Sequence, residues 1–189
     1  KDPQKYVDEY AAKFNELKSL LNLSYTHFIR TSNAEHKKVA QEFWRRCLAH
    51  DDIYKKSYRI KYCVGCELEK TDSELTDGKC SIHPHLNLEL IDEENYFFRF
   101  SKYQKPLLDF YDAHPDFVMP SFRFNEIKRF VADGLQDFSI SRLKTKMSWG
   151  VPVPDDPDQV MYVWFDALIN YISTLGWPKD TEYEFKNFW

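Results

Sequence analysis

Apolar residues recur every three or four positions over residues 4–21, at Val7, Tyr10, Phe14, Leu17 and Leu21, a spacing that predicts one helix face. The segment LNLSYTHFIRTSN breaks that period. Ser32 or Asn33 then offers a cap for a second helix over about 34–49, with Val39, Phe43, Trp44 and Cys47 on one side. Residues 53–62 place Tyr54, Tyr58, Ile60 and Tyr62 on one side of an alternating pattern, which predicts a strand. NYFFRF at 95–100 reads as a short strand running into a helix begun by Ser101, with Tyr103, Leu107, Leu108 and Tyr111 along it, that stops near His114-Pro115. A further helix is expected from about Phe122 to Asp133, with Gly134 in the left-handed position that ends it. GLQDFSISR is a short extended run, and WGVPVPDDPDQ is a Pro-rich loop. MYVWFDALINYISTLG reads as a buried strand leading into a helix closed by Gly176, half of a βαβ unit.

Length and composition add bounds. With 189 residues, 43% of them apolar, the chain is long enough to bury a core, and five glycines and nine prolines exclude a collagen-like chain. No run approaches the length of a membrane span, mean hydropathy is −0.61, and KDPQKYVDEY carries no apolar secretory segment. The expectation is a cytoplasmic protein with no membrane partner. The net charge of −4 argues against coating nucleic acid by bulk electrostatics. Its distribution is uneven: residues 1–62 carry a surplus of +5, whereas 63–100 carry −6 and 151–189 carry −5. Lys37, Lys38, Arg45, Arg46, Lys55, Lys56, Arg59 and Lys61 could meet a phosphate backbone locally, or could simply be solvated faces.

The sharpest chemical signal is Cys63-x-x-Cys66 followed by Cys80-x-x-His83. Each pair sits on one tight turn, so three thiolates and an imidazole complete a tetrahedron closed to water, the arrangement of a structural zinc ion. Gly65 and Gly78 suit those turns, and His85 is a second candidate for the fourth ligand, although the spacing favours His83. The plain alternative is unpaired thiols in a loop. Cys47 reads as a small buried hydrophobe. Glycines at 65, 78, 134, 150 and 176 allow neither G-x-G-x-x-G nor G-x-x-x-x-G-K, and no G-x-S-x-G or H-E-x-x-H occurs. On the 161–175 element, Trp164 follows the alternation of a strand, Asp166 stands where an N-cap is needed, and Ala167, Leu168 and Tyr171 share a helix side. Trp164 and Tyr171 could wall an apolar pocket with Ala167 leaving room in it, or all could be core.

At this point the chain resembles methionyl-tRNA synthetases, class I enzymes with a Rossmann-type catalytic domain. YVWFDALINYIS looks like their strand-helix motif, GLQDFSISR with WGVPVP like the segment before it, EENYFFRFSKYQKPLLDFY like the end of their connective-peptide insertion, and FIRTSNAEHKKVAQEFW like the stretch before that insertion. ISR…WG-x-P is shared with isoleucyl, valyl and leucyl relatives, and YVWFDALINYI selects methionine.

The resemblance implies an α/β fold, a partial Rossmann-type (doubly wound) catalytic domain interrupted by a zinc-knuckle connective-peptide insertion. Residues 1–53 would end the first Rossmann half, 54–140 would form the insertion, and 141–189 would begin the second half. It implies a methionine pocket from Trp164, Ala167, Leu168 and Tyr171, with Arg142 and Asp166 as weaker candidates near the site. It also implies a structural Zn2+ on Cys63, Cys66, Cys80 and His83, with His in place of a fourth cysteine as a departure. ATP, Mg2+, methionine and the initiator and elongator tRNAs for methionine would be partners of the full-length enzyme. The HIGH and KMSKS motifs of the family are absent, and Lys146-Met147-Ser148-Trp149 lies on the wrong side of the pocket strand to be the latter. HIGH is expected upstream of Lys1 and KMSKS downstream of Trp189. The expectation is a middle piece of a methionine–tRNA ligase, inactive alone; the alternative is a freestanding zinc-stapled module that binds RNA or protein through the basic 1–62 surface.

Overall fold

A computed structural model describes residues 2–66, 68–70, 72–179 and 184–189. Helix α1 (Pro3–Leu20) begins where Pro3 presets the backbone and the Asp2 carboxylate accepts from the Gln4 N–H at 2.9 Å. It buries no residue; Tyr6, Tyr10 and Phe14 along it are exposed, and an Arg30–Asp8 ion pair ties it to the following loop. Helix α2 (Ala34–Ala49) starts at Asn33, whose side chain makes no capping bond, and buries His36, Ala40 and Trp44 at a four-residue spacing.

The chain then runs out along β1 (Ile53–Cys63) and back along β5 (Glu89–Phe98), antiparallel from Ile53↔Phe98 to Tyr62↔Glu89. Strand β5 is longer than the 95–100 run expected from sequence. Its acidic beginning lies outside that run, and on this ribbon Glu94 and Asp92 meet Lys55 and Arg59 across the strands at 3.0 and 2.7 Å, so the charges support pairing. The ribbon's far end holds β2 (Leu68–Lys70), β3 (Leu75–Thr76) and β4 (Lys79–Cys80). At its near end, a 3-10 turn (Phe100–Tyr103) leads into α3 (Gln104–Ala113), which packs on α4 (Ser121–Ala132) around Tyr111, Phe124, Val131 and Leu135. Gly134 then takes φ +111°, as its place after that helix requires.

Strand β6 (Phe138–Ser139) joins the edge of β5, giving the order β2-β1-β5-β6, and β7 (Ser141–Leu143) pairs with β8 (Gln159–Met161). A buried network locks these pieces together: Ser141 Oγ accepts from the Tyr96 N–H and donates to Gln159 Oε1, while Gln159 Nε2 donates to the Glu94 carbonyl. Ala40, Trp44, Ile53, Ile140, Val151, Val153, Met161 and Phe165 form the main core between α2, the base of the ribbon and the β7–β8 pair.

Two expectations change here. Every strand pairing among the described residues is antiparallel, so the described part of this chain does not itself contain the parallel ladder of a doubly wound sheet. The expected strand over 161–165 is also shorter and earlier. Strand β8 ends at Met161, and α5 (Val163–Ala167) begins with Tyr162 as its cap, followed by α6 (Asn170–Ser173). β-branched and aromatic residues in VWF favour a strand locally, but in the helix Phe165 packs on Trp44 and Phe43, with ring centroids 5.4 and 5.5 Å away, and tertiary packing overrides the local preference. Asp166 therefore lies inside α5 and is not its N-cap.

Candidate functional site

Cys63 ends β1, Cys66 follows on the turn after it, Cys80 ends β4, and His83 sits on the next turn, where its N–H donates to the Cys80 carbonyl at 3.1 Å. These four form a group whose donor atoms all lie within 4.8 Å of one another. Cys66 Sγ is 3.5 Å from Cys80 Sγ and 3.2 Å from His83 Nδ1, and Cys63 Sγ is 3.7 Å from the same nitrogen. A tetrahedral zinc with Zn–S near 2.3 Å and Zn–N near 2.0 Å requires about 3.8 Å between two sulfurs and about 3.5 Å between sulfur and nitrogen. The donor set fits that ion, and His83 rather than exposed His85 is the fourth member.

The electrostatics suit a cation. Burial alone pushes the Cys80 thiol up, but the His83 and Ile82 N–H groups, and then Cys66 and Cys63, bring it down to about 6. Cys66 is pushed up to about 11, first by burial and then by its hydrogen bonds with Cys80 and Cys63. A metal must therefore displace protons to bind. Burial works against the Lys70 ammonium, yet Cys66, Glu74 and Cys80 hold it above the ordinary lysine range. Its side chain is largely covered and lies 3.5 Å from Glu74.

The second constellation lies on α5, α6 and the turn between them, which holds Leu168. Trp164, Ala167, Leu168 and Tyr171 are spaced as i, i+3, i+4 and i+7 and form one stripe. Trp164, Leu168 and Tyr171 are 63%, 58% and 64% exposed, while Phe165 and Ile169 on the other side are buried. The stripe is not core. Asp166 is on the buried side, pointing away from it, with His36 Nε2 4.0 Å from its Oδ1. Burial raises the Asp166 carboxyl to about 6 against the pull of Lys37, and burial pushes the His36 imidazole down. His36 Nδ1 also lies 3.3 Å from Ser173 Oγ, so one buried side chain of α2 reaches both helices that carry the stripe. Sequence reading missed His36. Its signal was the His36–Ala40–Trp44 spacing, which places it on the apolar side of α2.

Arg142 donates to Ser139 Oγ at 2.9 Å and to the Ser141 carbonyl at 2.7 Å, with its guanidinium over the Tyr162 ring, so it braces the β6–β7 junction. Lys146, from the KMSW run, is 3.1 Å from buried Glu93, tying the turn after β7 to β5. Five of the eight basic side chains singled out in 1–62 are ion-paired, three of them to carboxylates outside that segment. Lys38 pairs with Glu35, Arg46 with Glu42, Lys55 with Glu94 and Asp156, Arg59 with Asp92, and Lys61 with Asp72.

With this geometry in place, the comparisons converge. The family described as tRNA synthetases class I (M) matches over residues 1–87 and 66–189, and the chain belongs to it. More particularly, a methionine–tRNA ligase of Nostoc sp. is 48% identical over 181 residues, covering 95% of this chain and 34% of the relative. That of Thermotoga maritima is 44% identical over 192 residues, covering 100% of this chain and 30% of its own length. Mycobacterium tuberculosis methionyl-tRNA synthetase, solved in complex with methionyl-adenylate, superposes with a TM-score of 0.75 at 42% identity, covering 93% of this chain and 35% of that one. The chain thus spans about a third of the length of these relatives. No helix among the described residues is long and apolar enough to cross a membrane.

Proposed function

We propose that this chain is the middle of a methionine–tRNA ligase and supplies one wall of its methionine pocket from Trp164, Ala167, Leu168 and Tyr171. The observation that carries the reading is the stripe itself. Its large members are exposed on a helix pair whose opposite side is anchored to the core by Phe165 and Ile169. An unbranched thioether suits an aromatic-walled slot, where sulfur–aromatic contacts are mildly favourable. On this reading the rest of the enzyme, including the groups that bind ATP and Mg2+, closes over the stripe. The product is methionyl-adenylate, whose methionyl group passes to the initiator and elongator tRNAs in the cytoplasm.

The division into 1–53, 54–140 and 141–189 belongs to the same proposal, with the second segment inserted between the halves of a Rossmann-type domain. In that insertion Cys63, Cys66, Cys80 and His83 would hold a structural zinc, which would join the two turns at the ribbon's end and supply no reactive position. Arg142 and Asp166 act behind the pocket: Arg142 fixes the strand junction, and Asp166 sets the seat of α5. The ion pairing of Lys38, Arg46, Lys55, Arg59 and Lys61 leaves fewer free cations for the alternative RNA-binding module. The test is methionine-dependent ATP–pyrophosphate exchange by the full-length enzyme. Trp164→Ala is expected to raise the KM for methionine by about tenfold or more, the value of a lost apolar pocket contact. An unchanged KM would remove Trp164 from the pocket.

A further inference from the structure

Gly65 stands between the two cysteines of the first turn, and the obvious reason for a glycine there is backbone freedom. The structure gives a different one. The left-handed glycines are Gly78, Gly134 and Gly176, and Gly65 is not among them. What distinguishes Gly65 is space. A Cβ on it would lie 2.8 Å from both Cγ and Cδ2 of His83 and 2.9 Å from Leu86 Cδ1. Carbon atoms in contact prefer about 3.5–4.0 Å, so a methyl group there overlaps the imidazole.

The ring has little room to retreat. Its backbone is held on both sides, by the His83 N–H on the Cys80 carbonyl and by the Leu86 N–H on the His83 carbonyl, each at 3.1 Å. The ring edge that meets Gly65 is the Cγ–Cδ2 bond, which leaves Nδ1 facing the sulfurs of Cys63 and Cys66 at 3.7 and 3.2 Å. Turning the ring away from a methyl group would swing Nδ1 out of the tetrahedron. Nδ1 is also the imidazole atom whose reach from Cβ matches that of a cysteine sulfur. Two bonds of carbon and nitrogen plus a Zn–N contact near 2.0 Å span about the same distance as one C–S bond plus a Zn–S contact near 2.3 Å.

We infer that Gly65 is a positioning residue for the metal: it makes room for an imidazole bound through Nδ1 where a thiolate would otherwise serve, so residues 65 and 83 are coupled. This rests on the zinc reading above. A cysteine at position 83 has no ring, and it should lift the requirement for glycine at position 65.

The experiment compares the full-length protein with Gly65→Ala, with His83→Cys, and with both. Zinc affinity is read by chelator competition, and the ligand set by the cobalt(II) absorption spectrum. Gly65→Ala is expected to weaken zinc binding about tenfold or more and to alter the cobalt bands, an effect of the size that supporting residues have on metal sites. His83→Cys alone should keep the metal. The double variant should bind within a few-fold of His83→Cys. Far-UV circular dichroism of all four reports folding, and the double variant keeps the test decisive if Gly65→Ala alone misfolds. Gly65→Ala with the original affinity and spectrum would overturn the inference. A double variant as weak as Gly65→Ala would also overturn it, by assigning the glycine to its approach to Leu86 or to the backbone instead of to the imidazole. If the unaltered protein binds no zinc, the zinc reading itself falls, and this inference with it.

Discussion

The knuckle and the α5–α6 stripe each gather four side chains, and they differ in what completes them. At the knuckle, all four donors come from one stretch of chain, and two tight turns bring them within 4.8 Å of each other. Cys63 and Cys80 are fully buried there although this end of the ribbon has little apolar core. At the stripe, the helices are anchored from behind by a large aromatic core, yet Trp164, Leu168 and Tyr171 face outward and meet no opposing wall. The first is a site finished by local chain geometry. The second, on the proposed reading, is half of a site, in a chain about a third as long as these relatives.

The largest effect expected from this contrast is at the knuckle. Cys80→Ser removes a buried thiolate and should lower zinc affinity more than about 100-fold, since the ion's binding energy is what organises such a turn. Chelator titration checks the loss. Near-ultraviolet circular dichroism should meanwhile keep the signal of Trp44 and its ring contacts. A collapse of that signal would mean that the two regions are not independent.

The same contrast explains what could be read from the chain alone. The Cys63, Cys66, Cys80 and His83 group was legible because both turns are local in sequence; the structure needed only to bring them together through β1 and β4. Helices α1, α2 and α3 were legible from their spaced apolar residues, and α4 as a span closed by Gly134. The helical start at Val163 was not, because VWF favours a strand locally and only contact with Trp44 decides otherwise. The acidic start of β5 was hidden for a related reason: its partners, Lys55 and Arg59, lie a ribbon's length away in sequence. His36 was visible as a position on α2 but not as a partner of Asp166, since that pairing spans two elements far apart in the chain.

The core behind the stripe should give the next largest effect. Trp44 is 1% exposed and packs edge-on against Tyr96 and Phe165 at 5.2 and 5.4 Å. Trp44→Ala is expected to cost about 3–5 kcal/mol in urea unfolding. In the full-length enzyme it should also raise the KM for methionine, because Phe165 is the anchor of α5. A stability loss with unchanged KM would separate the stripe from its support.

A smaller effect, with a definite pH signature, belongs to Asp166. Its carboxyl is raised from 3.8 to about 6 by burial, so the folded protein holds this proton more tightly than the unfolded chain. Its contribution to stability is therefore complete below pH 3.8 and is lost as pH rises through about 6. Asp166→Asn removes that loss. It should leave stability unchanged near pH 3.5 and raise it above pH 6, by at most about 3 kcal/mol. Urea midpoints across that range test it. A variant less stable than the original above pH 6 would mean that the charged carboxylate is favourable there, held by His36 at 4.0 Å and by Lys37.

The smallest expected change in stability comes from the most prominent residue of the stripe. Trp164 is 63% exposed and makes no ring contact with the cluster formed by Phe43, Trp44, Phe98 and Phe165. Exposed positions away from caps, cavities and networks usually shift stability by no more than about 0.5 kcal/mol, and Trp164→Ala should stay within that range. Taken with the rise in KM expected for the same variant, this sharpens the contrast with Trp44→Ala. One tryptophan is expected to affect methionine binding only by holding the fold, and the other to affect it while leaving the fold alone. A loss of several kcal/mol from Trp164→Ala would make the stripe a structural face covered by the rest of the enzyme, and the methionine slot would have to be sought on another surface.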